Sequence, residues 1–181
     1  GSFWHFSGVF HPAVAHFPIA VLIVAGLIEI FQIFRRQSTP GEPAYLCLLI
    51  GTADAAKLTD PAQNLSADFG IGLTSPEADI LVSEPDRYSA AGFDLAVLDT
   101  PGHSGGHIVF VWKGGSPWVV FGGDVLFQGS IGRTDLPGGD FATLERAIRE
   151  KLYVLPDETV LHPGHGPDTA VGQEKATNPF V

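Results

Sequence analysis

Between residues 80 and 161 the chain repeats one pattern. A short run of β-forming residues is followed by a turn rich in Gly, Pro, Asp or His, at residues 80–82, 95–98, 108–112, 118–121 and 159–161. Runs of this length, bounded by backbone breakers, are strands. Lys113-Gly114-Gly115-Ser116-Pro117 reads as a hairpin-like link between two of them. One helix interrupts the series. Asp140 is a good N-cap, and Leu144, Ile148 and Leu152 recur at four-residue spacing, which predicts a helix over residues 141 to about 155 with one apolar face. Glu145 and Arg149 would form a supporting pair on its surface. Strands, then a helix, then a strand define a layered α/β arrangement.

The residues ahead of this series are of a different kind. Up to about residue 50 the chain is apolar and nearly uncharged, and from Asp54 onward it carries most of its acid. Ser38-Thr39-Pro40-Gly41-Glu42-Pro43 reads as a loop. We therefore divide the chain into a hydrophobic segment, 1–43, and a second domain, 44–181. Residues 17–34 are interrupted only by Glu29 and Gln32 and precede Arg35-Arg36. As a helix they would extend roughly 27 Å, near the lower limit for crossing a bilayer. The arginines then face the cytoplasm. This predicts association with the bacterial inner membrane through residues 17–34 and a cytoplasmic second domain; the alternative is a buried helix in a cytoplasmic protein. The stretch from Phe10 to Ala20, Phe-His-Pro-Ala-Val-Ala-His-Phe-Pro-Ile-Ala, resembles the opening of a family of small bacterial multi-span membrane proteins. His11 and His16 stand about 140° apart on a helix and cannot grip one metal from one face. Residues 44–50 read as a strand, ended by Gly51-Thr52-Ala53-Asp54.

A formal charge of −10 argues against a nucleic-acid partner. The single cysteine, Cys47, excludes an internal disulfide and fits a reducing compartment. With no methionine anywhere, Gly1 is not a translation start, and a fragment or processed product is expected.

Three polar clusters close the strands: residues 100–107 (Thr-Pro-Gly-His-Ser-Gly-Gly-His), Gly122-Gly123-Asp124, and His162-Pro163-Gly164-His165-Gly166. Histidine and carboxylate together are donors for zinc or iron, and strand-end loops are where a sheet presents them. Taken in order, with residues 129–140 (Gly-Ser-Ile-Gly-Arg-Thr-Asp-Leu-Pro-Gly-Gly-Asp) and the closing Gly172-Gln173-Glu174-Lys175 and Asn178-Pro179-Phe180, they resemble one family. It is that of the metallo-β-lactamase-fold hydrolases, of the glyoxalase II (hydroxyacylglutathione hydrolase) type. The resemblance runs from about residue 53 to 181.

That resemblance implies the second half of an αββα sandwich, truncated and preceded by the hydrophobic helix. It implies that His103 is a metal histidine, Asp124 the metal-bridging aspartate and His165 the last ligand. Arg133 falls where related enzymes place a cationic contact to the thiol substrate, while His107 and His162 match no ligand position. The implied cofactor is zinc, with iron as the alternative. The implied partner is a small-molecule thioester, for example an acylglutathione. The family's His-x-His-x-Asp-His motif is absent. Its absence predicts two donors per ion, impaired hydrolysis, and exposed strand edges that favour homo-oligomers. Two other readings follow from the same residues: a non-catalytic membrane-associated remnant or fusion, and an iron-dependent persulfide dioxygenase-like enzyme.

Overall fold

The computed structural model describes residues 49–90 and 92–181. The expected helix at 17–34, the membrane association and inner-membrane placement that follow from it, and the boundary at 43/44 lie outside these residues. Among the described residues, no helix is long and apolar enough to cross a membrane.

Two compact units divide the chain. The first takes in residues 55–81 together with Leu49 and Ile50; the second is 51–54 with 82–181. In the first, Asn64 is the organising residue. Its amide donates to the carbonyls of Lys57 (2.9 Å) and Leu73 (3.0 Å), and its oxygen accepts the Ser66 N–H (3.0 Å). A buried side-chain amide with every group paired can hold an irregular segment that has few backbone ladders of its own.

Among the described residues, ten strands occur in chain order: β1 Leu49–Gly51, β2 Ile80–Val82, β3 Arg87–Ala90, β4 Phe93–Asp99, β5 Ile108–Trp112, β6 Val119–Gly123, β7 Leu126–Phe127, β8 Ser130–Ile131, β9 Val160–Pro163 and β10 Thr169–Ala170. The second unit is built on a six-stranded sheet ordered β10-β9-β6-β5-β4-β3. All its pairs are antiparallel except β6 with β9. β7 and β8 form a separate two-stranded hairpin.

The expected strands at 80–82 and 108–112 are found with those bounds, and the runs at 95–98, 118–121 and 159–161 fall within or beside β4, β6 and β9. Helix α1, Phe141–Ala147, starts on Asp140, whose carboxylate accepts the Thr143 N–H at 2.7 Å. It continues as one π-helical stretch, Ile148–Leu152, and so ends three residues before the expected 155. Leu144, Ile148 and Leu152 are fully buried, in one core cluster with Val109, Val111, Val120 and Leu161 of the sheet. Each such side chain contributes about 1.5–3 kcal/mol by leaving water. The Glu145–Arg149 surface pair forms at 3.0 Å. Helix α2, Val171–Thr177, follows β10.

Candidate metal centre

Strand direction brings the three polar clusters together. β4 runs antiparallel to β5, β5 antiparallel to β6, and β6 parallel to β9. β4, β6 and β9 therefore point the same way, and their carboxyl ends lie along one edge of the sheet. The loop 100–107 leaves the end of β4, Asp124 follows β6, and His165 follows β9. The pairing of β6 with β9 slips between Phe121 and Gly123, where Phe121 opposes His162 and Gly123 opposes Pro163. This bulge spends one extra residue on β6 and bends its end. Gly123 takes φ +51°, and a Cβ there would stand 2.8 Å from His107 Nε2.

His103 and Asp124 are both buried, at 4% and 6% exposure. His103 Nδ1 lies 2.8 Å from the carbonyl oxygen of Arg133. A carbonyl only accepts, so Nδ1 donates, and in the neutral ring Nε2 carries the lone pair. That Nε2 faces Asp124 Oδ2 at 3.9 Å. The other carboxylate oxygen, Oδ1, faces His165 Nε2 at 3.8 Å. Oδ1 is buried and has no hydrogen-bond partner. A Cβ on Gly164 would fall 2.4 Å from it, so only glycine leaves this oxygen room.

The surroundings hold these groups by their backbones. The Asp124 N–H donates to His107 Nε2 at 3.2 Å, and His107 Nδ1 lies 3.2 Å from the Thr100 hydroxyl. His107 thus holds the main chain of Asp124. Asp54 accepts the Ser104 hydroxyl, and the Gly106 N–H at 3.1 Å, which pins the loop that carries His103. His165 is half exposed and stacks on Phe127, with ring centroids 4.4 Å apart. His162 turns elsewhere: it stacks on Phe121 at 5.9 Å and pairs with Asp168 at 2.8 Å.

His103, Asp124 and His165 are therefore neighbours, arranged as two histidines on opposite oxygens of one aspartate. Among the described residues, no three His, Cys, Asp or Glu side chains gather into a single metal-holding group. Arg133 touches the site through its carbonyl oxygen. Its guanidinium is engaged by both oxygens of Asp135 at 2.7 Å. Hydrogen bonding from Arg133 holds the Asp135 carboxyl down at about 2. Sequence reasoning passed over Asp54, Phe127 and the Arg133 carbonyl. Phe127 stands three residues after Asp124 and was within reach; a backbone carbonyl leaves no signal in residue identity.

The geometry agrees with what the chain is similar to. Residues 37–165 match the family model described as the metallo-beta-lactamase superfamily. A probable metallo-hydrolase of Streptococcus pyogenes, M6_Spy0554, is 40% identical over 149 residues, 80% of this chain and 62% of that protein. The hydroxyacylglutathione hydrolase GloC of Haemophilus influenzae is 51% identical over 90 residues, 50% of this chain and 42% of that protein. The chain thus spans less than two thirds of the length of either relative. Among solved structures, TTHA1623 in a di-iron-bound form superposes with a TM-score of 0.62 at 38% identity, covering 75% of this chain and 65% of that one. A family match over most of the chain, and a sheet whose aligned strand ends meet at a buried aspartate with one oxygen lacking a hydrogen bond and a histidine facing each oxygen, lead to one conclusion: the chain belongs to the metallo-beta-lactamase superfamily.

Proposed function

We infer that the chain is a metallo-hydrolase of the glyoxalase II type, with a small-molecule thioester such as an acylglutathione as substrate. The observation that carries this is Asp124 Oδ1: a buried, unpartnered carboxylate oxygen with an imidazole nitrogen 3.8 Å away. Leaving such an oxygen unpaired is costly, and a cation between the two groups removes the cost. The donor set suits zinc or iron in kind. In number it supplies His103 with Asp124 for one ion and Asp124 with His165 for the other. That is one short of the usual three protein ligands on each, which is consistent with impaired activity. When bound, the metal supplies Lewis acidity toward the acyl oxygen and acidifies water.

The chain's own residues bind and orient. Asp124 holds the shared position between the histidines, Arg133 O fixes the His103 tautomer, and Arg133 offers a cation to an anionic thiol carrier. In the reaction the oxygen of water bonds to the acyl carbon, the carbon–sulfur bond breaks, and the departing thiol takes the proton. The identity to GloC supports a glutathione thioester as substrate. The di-iron form of TTHA1623 keeps iron beside zinc as the metal. With iron, oxidation of a glutathione persulfide, with dioxygen as the oxidant, is the sibling chemistry.

The absence of a three-donor group among the described residues favours a second reading, a non-catalytic scaffold. Elemental analysis of the full chain, purified with zinc and iron supplied, separates the two. The hydrolase reading expects about one or two tightly held ions per chain, lost when His103, Asp124 or His165 is replaced. Protein that retains no metal under these conditions establishes the scaffold.

A further inference from the structure

The small hairpin of β7 and β8 touches every member of the proposed metal-facing set. Its first strand begins two residues after Asp124, and Phe127 on that strand stacks on the His165 ring. Its second strand leads through Gly132 to Arg133, whose carbonyl takes the His103 Nδ1–H. The Gly132 N–H donates to the Val125 carbonyl at 3.0 Å. A Cβ at Gly132 would fall 2.0 Å from the Asp124 carbonyl oxygen, so the two arms press together at the Asp124 main chain.

Strands of two residues do not hold a hairpin by themselves. Its tip is held instead by α2 and the residue after it. The Gly129 N–H donates to Glu174 Oε2 at 2.8 Å. The Asn178 amide donates to the same oxygen at 2.9 Å and to the Ser130 carbonyl at 3.0 Å. The Thr169 hydroxyl donates to Glu174 Oε1. Glu174 is fully buried, and these three hydrogen-bond donors are all neutral. An apolar side chain could seat α2 without the cost of burying a carboxylate. What a carboxylate adds is an acceptor at both ends and no donor facing the Gly129 N–H.

We propose that Glu174 is a positioning residue for the metal-facing set. Acting through the turn between β7 and β8, it holds the hairpin so that His103 and His165 face opposite oxygens of Asp124. This rests on the metal-facing reading of those three residues, but its test needs no bound metal.

The test is NMR of the full chain with two reporters: the ring protons of His165, shifted upfield by Phe127, and the His103 Nδ1–H, shifted downfield by its hydrogen bond. In Glu174→Ala both shifts are lost, while the methyl resonances of Val97, a site away from the hairpin, stay in place. Glu174→Gln restores both, because its oxygen can accept from Gly129 and Asn178 while its NH2 donates to the Thr169 hydroxyl. A folded Glu174→Ala with both reporters unchanged overturns the proposal. So does a Glu174→Gln that behaves like alanine, which would place the effect in the charge and not in the clamp. Should Glu174→Ala not fold, Asn178→Ala removes the Ser130 contact and one donor to Glu174. It is expected to move both reporters, and its failure to do so overturns the proposal equally. If the reporters move as expected while the unaltered chain retains no metal, the positioning role stands and the hydrolase reading falls.

Discussion

His103 Nδ1 lies 2.8 Å from the carbonyl oxygen of Arg133, thirty residues further along the chain. This contact ties the loop after β4 to the strand that returns from the hairpin. It also decides which imidazole nitrogen faces Asp124. Ligating histidines commonly donate their other N–H to a carbonyl or carboxylate, which fixes ring and tautomer before any ion arrives. Here that preparation is built from the main chain, so no side-chain substitution at Arg133 removes it directly.

The supporting role of His107 gives the first prediction. It accepts the Asp124 N–H, whereas His162 is spent on Phe121 and Asp168. His107→Ala should weaken zinc binding by about 10–100-fold, the usual effect of removing an outer support. His162→Ala should leave it unchanged. Competition titration against a chromophoric chelator reads both, and a loss on replacing His162 equal to that for His107 would contradict this division of roles.

Gly123 is the second. Its φ of +51° and the 2.8 Å approach of His107 Nε2 leave no room for a side chain. Gly123→Ala should destabilise the protein by about 1–2 kcal/mol from the left-handed backbone alone. Displacement of His107 adds to this. Chemical denaturation gives the number; a midpoint equal to that of the unaltered chain would show that the end of β6 can relax.

How much of this was legible before the structure depended on whether the information was local. β5 could be read directly, because Ile108 to Trp112 is an unbroken β-forming run and its first four residues are buried. Asp140 and the 144/148/152 face were legible for the same reason: capping and helical period are written in neighbouring residues. β3, Arg87–Ala90, was not, since its Arg-Tyr-Ser-Ala composition has no apolar run and it becomes a strand only by pairing with β4. β7, β8 and β10 are two residues each, too short for any period to show. His103, Asp124 and His165 were found through the order of their motifs. That they meet follows from the parallel pairing of β6 with β9, which no local pattern specifies. Glu174 was noted only as part of a closing motif; its full burial comes from α2 packing near the hairpin.

Acid should reveal the contribution of one contact made by the stretch that continues α1, between Lys151 and Glu84. Glu84 accepts from Lys151 Nζ at 2.7 and 2.6 Å and from the Asp99 N–H at 3.2 Å. The Lys151 hydrogen bond, aided by the Asp99 N–H and the lysine charge and opposed by burial, lowers the Glu84 pKa from 4.5. A carboxyl with a depressed folded pKa stabilises the fold above its unfolded pKa, and that contribution disappears as pH falls through the folded value. For a partly exposed pair it is about 1 kcal/mol or less. Glu84→Gln should therefore lower the melting midpoint slightly at pH 7, and the difference should shrink as pH falls below 4.5 and vanish once it is below the depressed folded value. A gap that persists there would mean the residue acts through packing and not through its charge.

The last prediction concerns Arg133, offered above as a contact to the thiol carrier. Both oxygens of Asp135 already occupy its guanidinium, at 2.7 Å each, so an anionic substrate must compete with an internal carboxylate. With its pKa held at about 2, Asp135 stays ionised throughout any practical assay range, and lowering the pH to 5 does not relieve the competition. Replacing the charge does. Asp135→Asn should lower KM for an acylglutathione severalfold while kcat barely moves, the signature of a change in uniform binding. Arg133→Ala should raise KM with kcat again nearly constant, because His103 is held by the Arg133 carbonyl, which that substitution retains. If neither variant alters KM, Arg133 does not face the substrate, and its pair with Asp135 serves only to brace the loop after the hairpin.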